Sequence, residues 1–322
     1  MQPPKPATTS DKTALSAAIK AKARQLGFTA VGIIPASVLS QRDQHPLRDW
    51  LSKGYQAEMD WMANHLEKRL DPGSLMDGTR SIVCVAMNYF NEDAYDREDT
   101  AALKIAKYAR GTDYHYVVKD KLKLLLAAIQ ELAPNSKGRA LTDSAPIWER
   151  ALATKAGLGW VGKNGNLINS KHGSFLFLGE LLLDIDLDCD TPMHTQHCGT
   201  CTRCIDACPT EAIVQNSVID SRKCISYWTI EYKGESFPNA ISNNLNGWLF
   251  GCYICQDVCP WNIKFAQPTA EPLFEPRPWN QTPLAPEILA LDEETFRERY
   301  RKSPLKRTKL AGLKRNIAEA GF

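Results

Sequence analysis

The apolar residues Leu15, Ala18, Ile19 and Leu26 recur at helical spacing, with Lys22 on the same stripe, and Gly27 stands where such a helix stops. Residues 28–34 (FTAVGII) follow as a buried strand closed by Pro35. Residues 45–70 read as irregular helix, and Trp50, Tyr55, Met59, Trp61 and Met62 form a stripe that reads as core rather than as a cofactor box. A second strand signal spans 81–89 (SIVCVAMNY), with Cys84 as a small buried hydrophobe. After an acidic loop at 92–100, residues 106–115 run into a helix with Val118, Leu122, Leu125, Leu126 and Ile129 on one face. Asp113 and His115 read there as capping and surface residues. Residues 134–139 read as a turn, and 141–153 (LTDSAPIWERALA) place Asp143 just ahead of a helix beginning near Pro146, where a helix cap is its local role. Residues 175–186 (FLFLGELLLDID) are a third strand region. Strands and helices mixed in this way predict an α+β fold.

Composition narrows the setting. A chain of 322 residues is long enough for two or three cores. A net charge of +2 shows no global basicity directed at nucleic acid. Residues 1–12 are polar and proline-rich, without the apolar centre of a signal peptide. The longest greasy stretch, 175–183, is too short for a membrane span and is broken by Asp184. The expectation is a soluble, cytoplasmic protein with no membrane association.

Ten cysteines in such a setting point to metal. Cys198, Cys201, Cys204 and Cys208 form C-x2-C-x2-C-x3-C ahead of Pro209, the bacterial ferredoxin run, in which the fourth thiolate reaches a second cluster. Cys252, Cys255 and Cys259 precede Pro260 in a second run that is one cysteine short, and Cys224 supplies it. The crossed assignment puts Cys198, Cys201, Cys204 and Cys259 on one [4Fe–4S] cluster and Cys208, Cys224, Cys252 and Cys255 on the other. Structural zinc prefers paired C-x2-C knuckles and fits this spacing poorly; disulfides fit an intracellular chain still less. Cys189 lies outside both runs and reads as unligated.

Residues 157–167 (GLGWVGKNGNL) do not match a dinucleotide fingerprint, although glycines of this density let backbone approach a large cofactor. Six prolines between 268 and 286 mark a linker or wrapping arm without regular structure. The segment 297–315 carries nine basic residues and one acid, Glu298; it reads either as a solvated helical face or as a grip on RNA phosphates.

Several stretches in one order resemble the epoxyqueuosine reductases, cobalamin-dependent enzymes that complete queuosine in tRNA. They are 67–72 (EKRLDP), 107–115 (KYARGTDYH), 141–146 (LTDSAP), 157–164 (GLGWVGKN), the ferredoxin run, 224–231 (CISYWTIE), 248–261 (WLFGCYICQDVCPW) and 314–318 (KRNIA). The resemblance implies an α/β cobalamin-binding catalytic domain over 1–187, a ferredoxin-type module with two [4Fe–4S] clusters over 188–267, and a Pro-rich linker with a basic helical segment over 268–322. It places Asp143 on the family's proton donor. Arg69, Asn164, Leu167, Leu178 and Ser226 fall on positions expected to line cob(II)alamin, and Ala106 on one where only its backbone can contribute. Longer relatives continue into a helical-repeat extension beyond the position of Phe322, which implies a smaller tRNA surface here, and 107–110 departs from the commoner pattern.

The implied reaction reduces epoxyqueuosine to queuosine in a tRNA anticodon loop, where a base is easily splayed out. Lys233, Lys306, Arg307 and Lys309 are the candidate tRNA contacts. Further implied are a flavodoxin- or ferredoxin-type electron donor and a monomeric enzyme. A corrinoid reductase of the reductive dehalogenase type, and a non-enzymatic iron–sulfur protein that binds tRNA or carries electrons, are the rival readings.

Overall fold

The computed structural model describes residues 9–37, 39–92, 102–193 and 196–322. Most of the acidic loop at 92–100 and most of the polar start at 1–12 lie outside them.

Strands β1 (Ala30–Pro35), β2 (Ser81–Asn88), β3 (Gly138–Leu141) and β4 (Leu176–Leu183) form an antiparallel sheet in the order β1-β2-β4-β3. Side chains alternate across a strand. In β2, Val83, Val85 and Met87 pack with α1 (Thr9–Gln25) and α2 (Tyr114–Leu132), while Ile82, Cys84 and Ala86 pack with α3 (Glu149–Lys155). Both faces are therefore covered, which explains strands that read as unbroken apolar runs. Gly32 in β1 is required by this packing: a Cβ there would stand 2.1 Å from the Ala156 carbonyl oxygen at the end of α3.

Two expectations change in this half. The turn at 134–139 contains the start of β3, a short strand at the sheet edge. The stripe from Trp50 to Met62 is not core: none of its five members is buried, and Trp61 is 42 % exposed. Trp61 lines a cavity, and Trp50 donates its indole N–H to the Ile219 carbonyl (2.7 Å).

The cysteine segment docks onto this half through strand Trp248–Phe250, which pairs in parallel with Lys104–Ile105, and through α4 (Ile225–Ile230). The proline-rich stretch is the wrapping arm, but it contains short helical turns at Pro272–Phe274, Pro278–Gln281 and Ala285–Leu289. Phe274 of the arm packs its ring 4.9 Å from Phe177. Gly111 makes room for the arm, since a Cβ there would meet the Leu273 carbonyl at 2.8 Å.

The basic segment is only partly a solvated face. Leu310, Leu313 and Ile317 of α5 (Lys309–Glu319) are buried in a third core with Leu249, Phe250 and Ile105. Asn316, fully buried, donates to the carbonyls of Thr229 (2.8 Å) and Leu249 (2.9 Å). Some of the basic residues also serve internal acceptors: Lys314 reaches the Leu291 carbonyl (2.9 Å) and Arg315 the Gly234 carbonyl (2.7 Å). Among the described residues no helix is long and apolar enough to cross a membrane.

Candidate active site and cysteine cavities

Asp143 follows β3 in a left-handed backbone conformation (φ 45°), which turns the chain sharply before α3. Its amide donates to Glu149 Oε1 (2.7 Å), and the neighbouring Thr142 hydroxyl donates to the Leu178 carbonyl (2.8 Å). The N-cap of α3 is Trp148, so Asp143 is not a helix cap. Its carboxylate instead accepts a hydrogen bond from the Tyr114 hydroxyl, and His115 Nε2 stands 3.8 Å from Oδ2.

Two cavities meet at this carboxylate. The outer one, about 710 Å³, is lined by Trp61, Arg69, His115, Lys306 and Arg307 among others. The inner one, about 420 Å³, is lined by Leu167, Leu176, Phe177, Leu178, Ser226 and Cys252 among others. Tyr108, Tyr114 and Asp143 belong to both walls. Tyr114 is fixed by stacking on Phe177, with ring centroids 4.2 Å apart and planes 7° from parallel.

Burial falls on the acids behind Asp143 rather than on Asp143, whose side chain is 49 % exposed because it faces the cavities. Burial, with the Asp143 charge second, pushes Glu149 up to about 8. Glu180 on β4 is fully buried, its oxygens have no hydrogen-bond partner in the structure, and burial holds its pKa well above the carboxylate range. Burial thereby favours the neutral form of both carboxyls. Burial also raises the Tyr108 and Tyr114 hydroxyls, with nearby carboxylates adding to the effect.

Each predicted cysteine quartet lines its own cavity. Cys208, Cys224, Cys252 and Cys255 surround about 210 Å³, and Cys198, Cys201, Cys204 and Cys259 surround about 150 Å³. Among the described residues no three His, Cys, Asp or Glu side chains close on a single metal ion. Spaces of this size suit a four-iron cluster better than one zinc. Burial raises the pKa of Cys252, Cys255 and Cys224, with neighbouring cysteines adding to it, so a thiolate form of these side chains would require a compensating cation. Cys84 is buried in the sheet, and Cys189 is exposed and lines neither cavity.

The cavities form a series. Asn164 stands between the two cysteine cavities and donates to the Cys255 carbonyl (3.3 Å). Ser226, Cys252 and Gln256 stand between the second cysteine cavity and the inner cavity at Asp143. The glycine-rich loop frames the series as a hairpin, Trp160–Val161 against Leu167–Ile168, and Lys163 reaches the Cys201 carbonyl (2.9 Å).

Of the residues expected to line cobalamin, the structure brings Leu167, Leu178 and Ser226 together with Asp143 in the inner cavity. Arg69 lines the outer cavity; it is buried, and its Nε has no partner in the structure. Ala106 and Asn164 line neither space, and the Ala106 amide is committed to the Phe250 carbonyl (2.8 Å). The wall as a whole, apolar along β4 and polar at Ser174, Ser226 and Gln256, fits a flat macrocycle edged with amides.

Lys306 and Arg307 sit on the rim of the same cavity as Asp143, so the basic segment reaches the site. Arg307 forms a two-pronged pair with Glu231 (2.5 and 2.8 Å), and Lys233 donates to the Arg307 carbonyl (3.2 Å). Lys309 is exposed nearby in the chain but does not line the cavity. Sequence reasoning missed His115, Tyr114 and Glu149 as members of the site. The adjacency of Asp113, Tyr114 and His115 ahead of a helix was the available signal; what they face is set by tertiary structure.

The family model described as "Epoxyqueuosine reductase QueG, DUF1730" matches residues 69–144, and that described as "4Fe-4S double cluster binding domain" matches 197–262. The epoxyqueuosine reductase of Cellulophaga algicola is 48 % identical over 299 residues, covering 93 % of this chain and 95 % of that protein. That of Synechocystis sp. is 46 % identical over 287 residues, covering 89 % and 98 %. A crystal structure of epoxyqueuosine reductase with an epoxyqueuosine-modified tRNA-Tyr stem loop superposes with a TM-score of 0.88 at 28 % identity, covering 95 % of this chain and 80 % of that one. The enzyme from Bacillus subtilis superposes with a TM-score of 0.87 at 27 % identity, covering 95 % and 81 %. With its cysteine quartets, its double-cluster segment and relatives of this similarity over nearly its whole length, the chain belongs to the epoxyqueuosine reductase family.

Proposed function

We propose that this protein reduces epoxyqueuosine to queuosine in the anticodon loop of tRNA, with cobalamin in the joined cavities and a [4Fe–4S] cluster on each cysteine quartet. The observation that carries the reading is the series of cavities running from the cysteines to Asp143. The substrate epoxide takes up two electrons and two protons and leaves as alkene and water. Bound clusters would supply one-electron transfer, and a bound corrin would supply a centre that holds reducing equivalents close to carbon.

The protein's own residues hold, orient and protonate. The quartet Cys198, Cys201, Cys204 and Cys259, farther from Asp143, would face a flavodoxin- or ferredoxin-type donor. The quartet Cys208, Cys224, Cys252 and Cys255 would carry the cluster next to the corrin. Leu167, Leu178 and Ser226 would bound the macrocycle, Arg69 would line the adjoining outer cavity, and Asp143 would protonate the departing oxygen. The domain extents implied by the resemblance remain part of this proposal, as does action by a monomer. Lys306, Arg307, Lys233 and Lys309 would hold the RNA strand while the modified base enters the outer cavity. Arg307 would be presented from its pair with Glu231.

Anaerobic reconstitution with iron, sulfide and cobalamin, followed by mass analysis of nucleosides from epoxyqueuosine-containing tRNA, tests the reading. Queuosine should appear, and Asp143→Asn should bind cobalamin, seen in its visible spectrum, while losing roughly 10²-fold or more in turnover, the scale of a positioned proton donor. Failure to bind cobalamin would favour the non-enzymatic reading instead.

A further inference from the structure

This inference rests on the proposed reaction. The oxygen that leaves as water receives two protons at one atom, whereas one carboxylic acid carries one proton. Asp143 must therefore be reloaded within a turnover, while the substrate occupies the cavity. Its side chain opens onto that cavity, so it is not a shielded store of protons. The buried acid behind it, Glu149, accepts from the Asp143 amide and fixes the loop.

We propose that His115, held by Asp113, reloads Asp143 between the two protonations. His115 Nδ1 lies 2.7 Å from Asp113 Oδ1, which also accepts from the His115 amide (3.0 Å). With Nδ1–H donating to that carboxylate, Nε2 carries the mobile proton, and Nε2 is the nitrogen 3.8 Å from Asp143 Oδ2. That gap is longer than a hydrogen bond and closes by a small side-chain rotation or one bridging water. The imidazole stacks on Tyr114, centroids 4.2 Å apart, which fixes its plane. Its side chain is 36 % exposed, so it recharges from solvent.

The charges around it suit the task. Burial and the Arg307 guanidinium oppose the imidazolium, but Asp113 and Asp143 outweigh them, and the pKa stands above the ordinary histidine value. In the transfer, imidazolium Nε2–H gives its proton to carboxylate Oδ2, leaving neutral imidazole and a carboxylic acid. The acid protonates the departing oxygen, and imidazole takes a proton from water or buffer. No electrons move in these steps.

The test uses His115→Gln in the reconstituted holoenzyme, with epoxyqueuosine tRNA as substrate. Turnover should fall roughly 10-fold to 100-fold with little change in KM, become dependent on buffer concentration, and recover on addition of imidazole. A variant as fast as wild type, or a loss that imidazole does not restore, overturns the proposal. An independent arm follows the His115 ring by NMR in the full-length protein without cofactors: its pKa should fall in Asp143→Asn and in Asp113→Asn. An unmoved titration in Asp143→Asn likewise overturns it, even where His115→Gln misfolds. If wild-type enzyme makes no queuosine, the functional reading fails, and the NMR arm still decides whether the two side chains are coupled.

Discussion

β2 buries seven of its eight residues between two helical layers, whereas the small apolar cluster beside the cysteine runs is Trp160, Ile168 and Cys259. The sheet half has the means to hold itself together by removing apolar surface from water. The cysteine runs carry several thiols whose burial disfavours the thiolate, and apolar residues among them, such as Trp248 and Tyr253, are buried in the core shared with the sheet half. Their order must come from metal ligation and from docking onto the sheet half. One half is thus a scaffold held by packing, and the other, on the proposed function, would be a relay that needs its clusters for full order.

That contrast breaks most visibly at the ligands. Cys201→Ala and Cys259→Ala should each remove the same EPR signal and lower iron from about eight to about four atoms per chain. Cys208→Ala and Cys255→Ala should remove the other signal. Hydrogen exchange should show 198–259 opening in all four variants while β2 amides stay protected. Loss of different signals in Cys201→Ala and Cys259→Ala would refute the crossed ligand sets. Loss of β2 protection would refute the independence of the two halves.

A change that belongs to neither half comes next in size. Lys306→Ala with Lys309→Ala should leave thermal unfolding unchanged, since both side chains are exposed. Binding to full-length tRNA should weaken several-fold, and each lost phosphate contact should flatten the log–log salt slope by roughly 0.7–0.9. An unchanged slope would assign RNA recognition elsewhere. Arg307 is left out of this pair because removing it also unpairs Glu231.

The smallest effect sharpens the picture of the scaffold. Glu180 has a folded pKa well above its unfolded one, so the folded state binds more protons than the unfolded state between the two values. Stability therefore falls as pH rises above the unfolded value of roughly 4.3. Glu180→Gln should raise Tm by a few degrees at pH 8 and have little effect near pH 4, measured by calorimetry on the cofactor-free protein. A gain that is the same at both pH values would show that packing, not charge, is responsible.

Much of the scaffold was legible in the sequence because coverage of both sheet faces leaves continuous apolar runs in β1, β2 and β4. β3 was not, since four residues at a sheet edge beginning with Gly138 and Arg139 look like a turn. The double-cluster segment was legible because cluster spacing is written into local sequence. The aromatic stripe at 50–62 misled because large side chains lining a crevice share the spacing of core residues. The company of Asp143 was invisible for another reason: His115 and Glu149 reach it from other elements, and periodicity records only one element at a time.

The parallel pairing of Lys104–Ile105 with Trp248–Phe250 carries a consequence for biogenesis. As the chain leaves the ribosome, the first of these strands waits for more than a hundred further residues before its partner arrives. The arm and α5, which cover that joint, are made later still. Non-local contacts of this kind form slowly. Until they form, Lys104–Ile105 lacks its strand partner; once α5 locks over Thr229 and Leu249, the joint is closed. Order of synthesis thereby becomes order of assembly, and the joint between the two halves is the last part of this fold to form.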